Sequence, residues 1–150
     1  MDIWLTELEE ITINTINLLK SIDLGQNPCI IFNIDDTLIH EDGKILSCVI
    51  DIYNYALQLG IKIFIITDRN GLRQEIVDNT LLELKNNNLN YEAIYFKKHE
   101  NKNDNFKIHA RKNIINKGYN IILCIGSNDT DIYDEFTGIP IKIPIYIKSD

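Results

Sequence analysis

Three short stretches gather the residue types that handle phosphate or metal ions. CIIFNIDDT (29–37) places Asn33, Asp35, Asp36 and Thr37 at the end of an apolar run, and IKIFIITDR (61–69) ends on Thr67, Asp68 and Arg69. ILCIGSNDTD (122–131) ends on Gly126, Ser127, Asn128, Asp129, Thr130 and Asp131. Carboxylates bind hard cations and serve as nucleophiles or proton carriers, while hydroxyls and guanidinium groups hold phosphoryl oxygens. Polar strand ends are ordinary, because strands meet loops there, and any one of these clusters alone says little. Three at one sheet edge point to a shared phosphate or metal site. The leading polar residue of the first cluster is nevertheless Asn33, a neutral amide.

The elements that must carry these clusters alternate along the chain. Residues 3–22 space Ile3, Leu8, Ile11, Leu18, Leu19 and Ile22 as one amphipathic helix. Residues 29–34 read as a buried strand, and Ser47 is the expected N-cap of a helix that runs to Leu59 and stops at Gly60. Further strands are expected over 61–67, 91–96 and 120–125. Helices are expected from Asn70-Gly71 into the Asn-rich stretch 86–90, and over 106–117 with Gly118 behind it. The last strand, 138–148, contains Pro140 and Pro144 and belongs at an edge. The 97–105 stretch reads as a solvated loop. Continuous apolar strands alternating with helices indicate a parallel sheet covered on both faces, where ligands bind beyond the carboxyl ends of the strands.

Composition narrows the class. The chain has 150 residues, 45% of them hydrophobic, and a net charge of −7. This length fits one domain, 1–150, with an N-terminal helix (1–25) ahead of a core (29–147). No apolar run reaches a membrane span of roughly 18 residues, and the acidic N-terminus is unlike a secretory signal, so a cytoplasmic location is expected. The negative charge argues against nucleic-acid binding. Cys29 and Cys124 lie in apolar runs and are expected as reduced, buried thiols. Abundant Ile and Asn with scarce Ala suggest an AT-rich genome, viral or parasitic. His40, His99 and His109 lack partners at ligand spacing, so zinc is not expected, and His40 reads as a solvated loop residue.

With these clusters in hand, NIDDT resembles the first motif of the haloacid dehalogenase (HAD) superfamily, usually Asp-x-Asp-x-Thr. IKIFIITDR resembles its second motif, a strand ending in Thr or Ser, and GSNDTD its fourth, Gly-Asp-x-x-x-Asp. FKIHARKNIINKGYNIILCIG and IKIPIYI are similar to the Lys-bearing helix and later strands of class B and plant vegetative-storage-type acid phosphatases. The resemblance implies a three-layer α/β/α, Rossmann-like HAD fold over about 29–147, with little or no cap.

It also implies roles. Asn33 stands at the nucleophile position, Asp35 at that of the acid–base, Thr67 and Lys107 at phosphate contacts, with Arg69 beside them. The Mg²⁺ ligand positions fall on Asn33, the backbone of Asp35 and Ser127, supported by Asp131 with Asp129 nearby. Two carboxylates of the family pattern are therefore replaced, by Asn33 and Ser127, and Mg²⁺ binding is expected to be weak or lost. The expected function is a catalytically impaired pseudophosphatase that binds a phosphorylated small molecule or protein. A working Mg²⁺-dependent phosphomonoesterase with unusual ligation through Asp129 or Asp131, and with Asp35 or Asp36 as nucleophile, is one alternative; a storage or structural protein is another. An uncapped site suits a large substrate, a protein partner, or closure by a second copy in a homo-oligomer.

Overall fold

In a computed structural model, which describes residues 2–98 and 105–146, five strands form one parallel sheet. They are β1 (Pro28–Phe32), β2 (Lys62–Asn70), β3 (Ala93–Lys97), β4 (Asn120–Gly126) and β5 (Ile139–Lys142), in the spatial order β3-β2-β1-β4-β5. The helices are α1 (Ile3–Ser21), α2 (Ser47–Gln58), α3 (Gln74–Asn86), α4 (Phe106–Asn116) and a single turn, α5 (Asp129–Ile132). The expected α/β architecture is observed.

Strand periodicity explains the layers. Ile30 and Phe32 of β1, with Ile63 and Ile65 of β2, pack under α1 and α2 and against Leu84 of α3. Cys29 and Ile31, with Phe64, Ile66 and Cys124, face Ala110 and Ile114 of α4 and Ile132 of α5. The central strands β1, β2 and β4 are covered on both faces, as continuous apolar strands require, while the edge strands β3 and β5 stay partly exposed. The order reverses between β1 and β4, which is where an open parallel sheet leaves a crevice.

Several boundaries differ from those expected. Ser47 is the first residue of α2, not its cap; Leu46 holds that position, and its apolar side chain, which cannot cap, is buried in the core instead. Helix α3 starts at Gln74, since Asn70 to Arg73 are taken by a turn in which the Asn70 side chain accepts from Leu72 N–H. β1 ends at Phe32 and β2 continues to Asn70. β5 is an edge strand, as the prolines demanded, but it is short. Ile143 N–H donates inward to Gly126, so by alternation Pro140 and Pro144 lie on the outward positions, where no partner needs their missing N–H. The end of the expected last strand, His99 and most of the 97–105 loop lie outside the described residues.

Only residues 38–46 separate the β1 turn from α2. They close as a small hairpin, with Leu46 N–H on the Leu38 carbonyl and Gly43 at φ +85° in the bend. His40 in this hairpin is not solvated. It packs half-buried against Trp4 and Tyr146, and the Trp4 indole donates to the Pro144 carbonyl at 2.7 Å. Helix α1 is thereby tied to the hairpin and to the segment after β5.

Cys29 and Cys124 are buried and free, and burial pushes their thiols up to about 12 and about 11. Cys48 is partly exposed. A thiol reagent at pH 8 should therefore modify Cys48 alone in the native protein, and all three thiols after unfolding, because only the ionised thiol reacts. Rapid native labelling of two or three thiols, counted by mass spectrometry, would contradict this packing.

Candidate active site

The carboxyl ends of β1, β2 and β4 converge, and α4 and α5 reach the same point from one face. Asn33 follows β1 directly and is buried. Its side-chain oxygen accepts from Ile34 N–H at 2.8 Å and its amide nitrogen donates to Asp131 at 3.0 Å, which fixes the orientation of the amide. Beyond it the chain turns sharply. Thr37, Leu38 and Ile39 N–H groups all donate to the Ile34 carbonyl, and Asp36 takes a left-handed φ of +55°. The turn leaves the Asp35 side chain outward and its carbonyl inward, 3.5 Å from the Ser127 hydroxyl.

Asp131 is the buried acid of the site, reached through the first turn of α5. Its close approach depends on Gly126, where a Cβ would lie 2.7 Å from that of Asp131. Lys107, from the buried face of α4, sits 2.7 Å from Asp131, 2.9 Å from the Thr130 hydroxyl and 3.0 Å from Asp68. Asn33, Lys107, Ser127 and Asp131 thus come together with the Asp35 carbonyl. Thr67 is fully buried toward the carboxyl end of β2, its hydroxyl accepting from Arg69 N–H at 3.2 Å.

The remaining predicted residues are placed elsewhere. Arg69 grips the Asp35 carboxylate through two nitrogens, at 2.7 and 3.1 Å, and reaches Thr80 and Glu83 of α3 with the third. Asp35 foremost, and then Glu83, hold this guanidinium above its usual range. Both charged groups are committed to each other on the α3 side. Asp129 is exposed and paired with Lys142 at 2.7 Å. Asp36 is half-buried, and desolvation, with Asp35 next to it, raises its carboxyl above the ordinary value.

Two residues of the site were not singled out by sequence. Asp68 was one more polar strand end, yet it is a direct partner of Lys107. Arg111, one helical turn after Lys107, is 1% exposed. It donates to the carbonyls of Glu135 (2.8 Å) and Thr130 (3.3 Å), and its last nitrogen lies 3.5 Å from Asp134. Burial depresses its pKa. Arg111 pins the segment that presents Thr130 and Asp131 to Lys107. The signal available in FKIHARK was the i, i+4 pair of cations on one helix face.

A divalent cation is poorly served by this donor set. Mg²⁺ takes oxygen ligands in an octahedron and favours charged ones. Here Asn33 and Ser127 bring neutral oxygens, Asp35 faces Arg69, and the two oxygens of Asp131 meet an ammonium and an amide. Among the described residues no three His, Cys, Asp or Glu side chains gather as a metal-ligand group. The residues present do not fit the ion.

A parallel sheet with Asp35, Thr67, Lys107 and Asp131 placed around the ends of β1, β2 and β4 defines a HAD-like scaffold. The sequence model of the HAD superfamily, subfamily IIIB (acid phosphatase), matches residues 40–146, and the chain belongs to that family. The matched span contains Thr67, Lys107 and Ser127–Asp131 and begins after the Asn33–Thr37 turn. Among solved structures, the class C acid phosphatase from Bacillus anthracis is similar at 17% identity and a TM-score of 0.61, covering 85% of this chain and 66% of its own. The same enzyme with tungstate bound gives 0.62 at the same identity and coverage. The Pnkp1/Rnl/Hen1 complex is similar at 13% identity and 0.62, covering 82% of this chain and 48% of its own. These likenesses carry the fold; the chain spans just under two thirds of the class C phosphatase. No curated protein sequence matches the chain significantly. No helix among the described residues is long and apolar enough to cross a membrane.

Proposed function

We propose that this chain is a phosphatase-family protein that no longer hydrolyses phosphomonoesters and instead binds a phosphorylated small molecule or protein through the retained phosphate side of the site. The observation that carries the reading is Asn33 at the nucleophile position, its amide turned to donate to Asp131. An amide cannot form the aspartyl-phosphate that the family chemistry requires, and no neighbouring base repairs that. Asp35, the acid–base position, is held by Arg69.

The same substitutions favour an anion. Asn33 and Ser127 remove two negative charges that would repel phosphate, and Asn33 keeps a second amide hydrogen to donate. Thr67 supplies a hydroxyl and Lys107 an ammonium for charge-assisted contact. Tungstate in the class C neighbour, a tetrahedral oxyanion on the same fold, supports this choice of ligand. The hairpin at 38–46 adds no cap domain, which leaves room for a protein-borne phosphate.

Phosphate or vanadate should raise the melting temperature of the wild-type chain, and raise it less in Lys107→Gln, which can still donate to Asp131 without the charge. Aryl phosphate turnover, with and without Mg²⁺, should stay at trace levels. Metal-dependent turnover within about tenfold of ordinary enzyme rates, roughly 1–10³ s⁻¹, would overturn the loss of catalysis. Equal thermal shifts in both proteins would remove Lys107 from the ligand.

A further inference from the structure

We propose that Asp68 is a specificity-determining residue of this site, a built-in carboxylate that occupies the ligand's place on Lys107 and admits only an oxyanion able to displace it. This rests on the reading of the site as an anion pocket.

An ammonium has three N–H donors, and Lys107 has three acceptors within 3.0 Å: Asp131, Thr130 and Asp68. The Asp131 side chain is 6% exposed and held by the Asn33 amide. Thr130 is exposed but neutral, and its backbone is pinned by Arg111. Asp68 is the exposed charged partner: its side chain is 44% exposed and its contact is the longest of the three. Its place in the strand explains its reach. The pairing of β2 with β3 slips between Thr67 and Asn70, and at this irregularity Asp68 turns to Lys107 of α4 while Arg69 turns to Thr80 and Glu83 of α3. A ligand oxygen arriving from solvent therefore meets Lys107 on the side that Asp68 occupies.

The exchange decides the ligand class. A monoanion replacing Asp68 swaps one negative charge for another and is repelled by the carboxylate it displaces. A dianion, such as a phosphate monoester, is also repelled by that carboxylate, but its second charge strengthens the pull of Lys107 and its additional oxygens accept from the Asn33 amide. Dianionic phosphate monoesters outcompete Asp68, and carboxylates and phosphodiesters do not.

The experiment titrates inorganic phosphate at pH 8, and dimethyl phosphate as the monoanion, into wild type, Asp68→Asn, Lys107→Gln and the double variant, at constant ionic strength, by calorimetry. Asp68→Asn is nearly isosteric at an exposed position, and its melting temperature without ligand serves as the folding control. Asp68→Asn should bind phosphate about tenfold more tightly, the size of one partly screened charge interaction, and should acquire measurable binding of dimethyl phosphate. The gain should vanish when Lys107 is also replaced. Unchanged or weaker phosphate binding in Asp68→Asn overturns the proposal while the anion-pocket reading stands. A gain that survives Lys107→Gln also overturns it, as a general charge effect. Binding by Asp68→Asn but not by wild type supports the role of Asp68 and sinks the reading of the native chain as a phosphate binder. No binding by any variant sinks both.

Discussion

Asn33→Asp alone should leave aryl phosphate hydrolysis at trace levels, and Asn33→Asp with Ser127→Asp should raise it by at least two orders of magnitude in the presence of Mg²⁺. Loss of a catalytic nucleophile typically lowers a rate by about 10⁴–10⁶-fold, so restoring it has that much room to act. The single change restores the attacking carboxylate but leaves it without the cation that would shield it and the phosphoryl oxygens. Ser127 lies 3.5 Å from the Asp35 carbonyl, so an acid there would stand beside the other metal-ligand positions of the family. Nucleophile and metal act as a unit, and the two substitutions should be strongly non-additive. Steady-state rates of the two single variants and the double, with Mg²⁺ and with a chelator, check this. Equal activity in Asn33→Asp and the double would show that Ser127 is no obstacle. The Arg69 clamp on Asp35 sets the next limit, because it holds the acid–base carboxylate away from the nucleophile.

The second large effect is on stability. Asn33→Asp replaces a buried donor, 3.0 Å from an Asp131 oxygen, with a second carboxylate. The lost hydrogen bond to a charged group is worth about 1.5–3 kcal/mol, and like-charge repulsion adds to it. A loss of about 2 kcal/mol at neutral pH corresponds to a melting temperature lower by about 4–8 °C for a chain of this size. The pH dependence has a definite sign. Two adjacent carboxylates raise the folded-state pKa of the pair above the ordinary value, so between the ordinary and the raised value the folded state binds more protons than the unfolded chain. The variant's stability therefore falls as pH rises through that window, and its deficit shrinks on acidification. Mg²⁺ should recover part of the deficit in the double variant and leave the melting temperature of wild type unchanged. Thermal unfolding of the three proteins at pH 5 and pH 7 measures all of this, and an Asn33→Asp protein as stable as wild type at pH 7 would refute the pairing.

Much of the molecule is written in local pattern. Apolar runs such as Cys29–Phe32 and Ile63–Ile66, alternating with segments of helical spacing, determine a parallel sheet whose central strands are doubly covered, because a strand buried on both faces has no polar side to show. That topology then requires the ends of β1, β2 and β4 to meet, which groups Asn33, Thr67 and Ser127–Asp131, while Lys107 on α4 was named only through the family resemblance. The replacement of two acids by Asn33 and Ser127 is likewise a matter of residue type alone.

The pairing of charges within the site was not legible. Asp35 lies 34 residues from Arg69, and Asp68 lies 39 from Lys107; local periodicity fixes which face each residue takes but not the distance between elements. Arg69 therefore read as a free phosphate ligand when it is bound to Asp35 and Glu83, and Asp129 read as a metal neighbour when it faces Lys142. Short elements suffered for the same reason. The turn of α5 is four residues long and too brief to show a period, and it exists because Ile132 is buried under β4 while Arg111 holds the carbonyls around it. Residue type and local spacing determined the fold and which strand ends carry polar clusters; the packing of α3 and α4 against the sheet decided which of those residues meet and which carboxylate each cation holds.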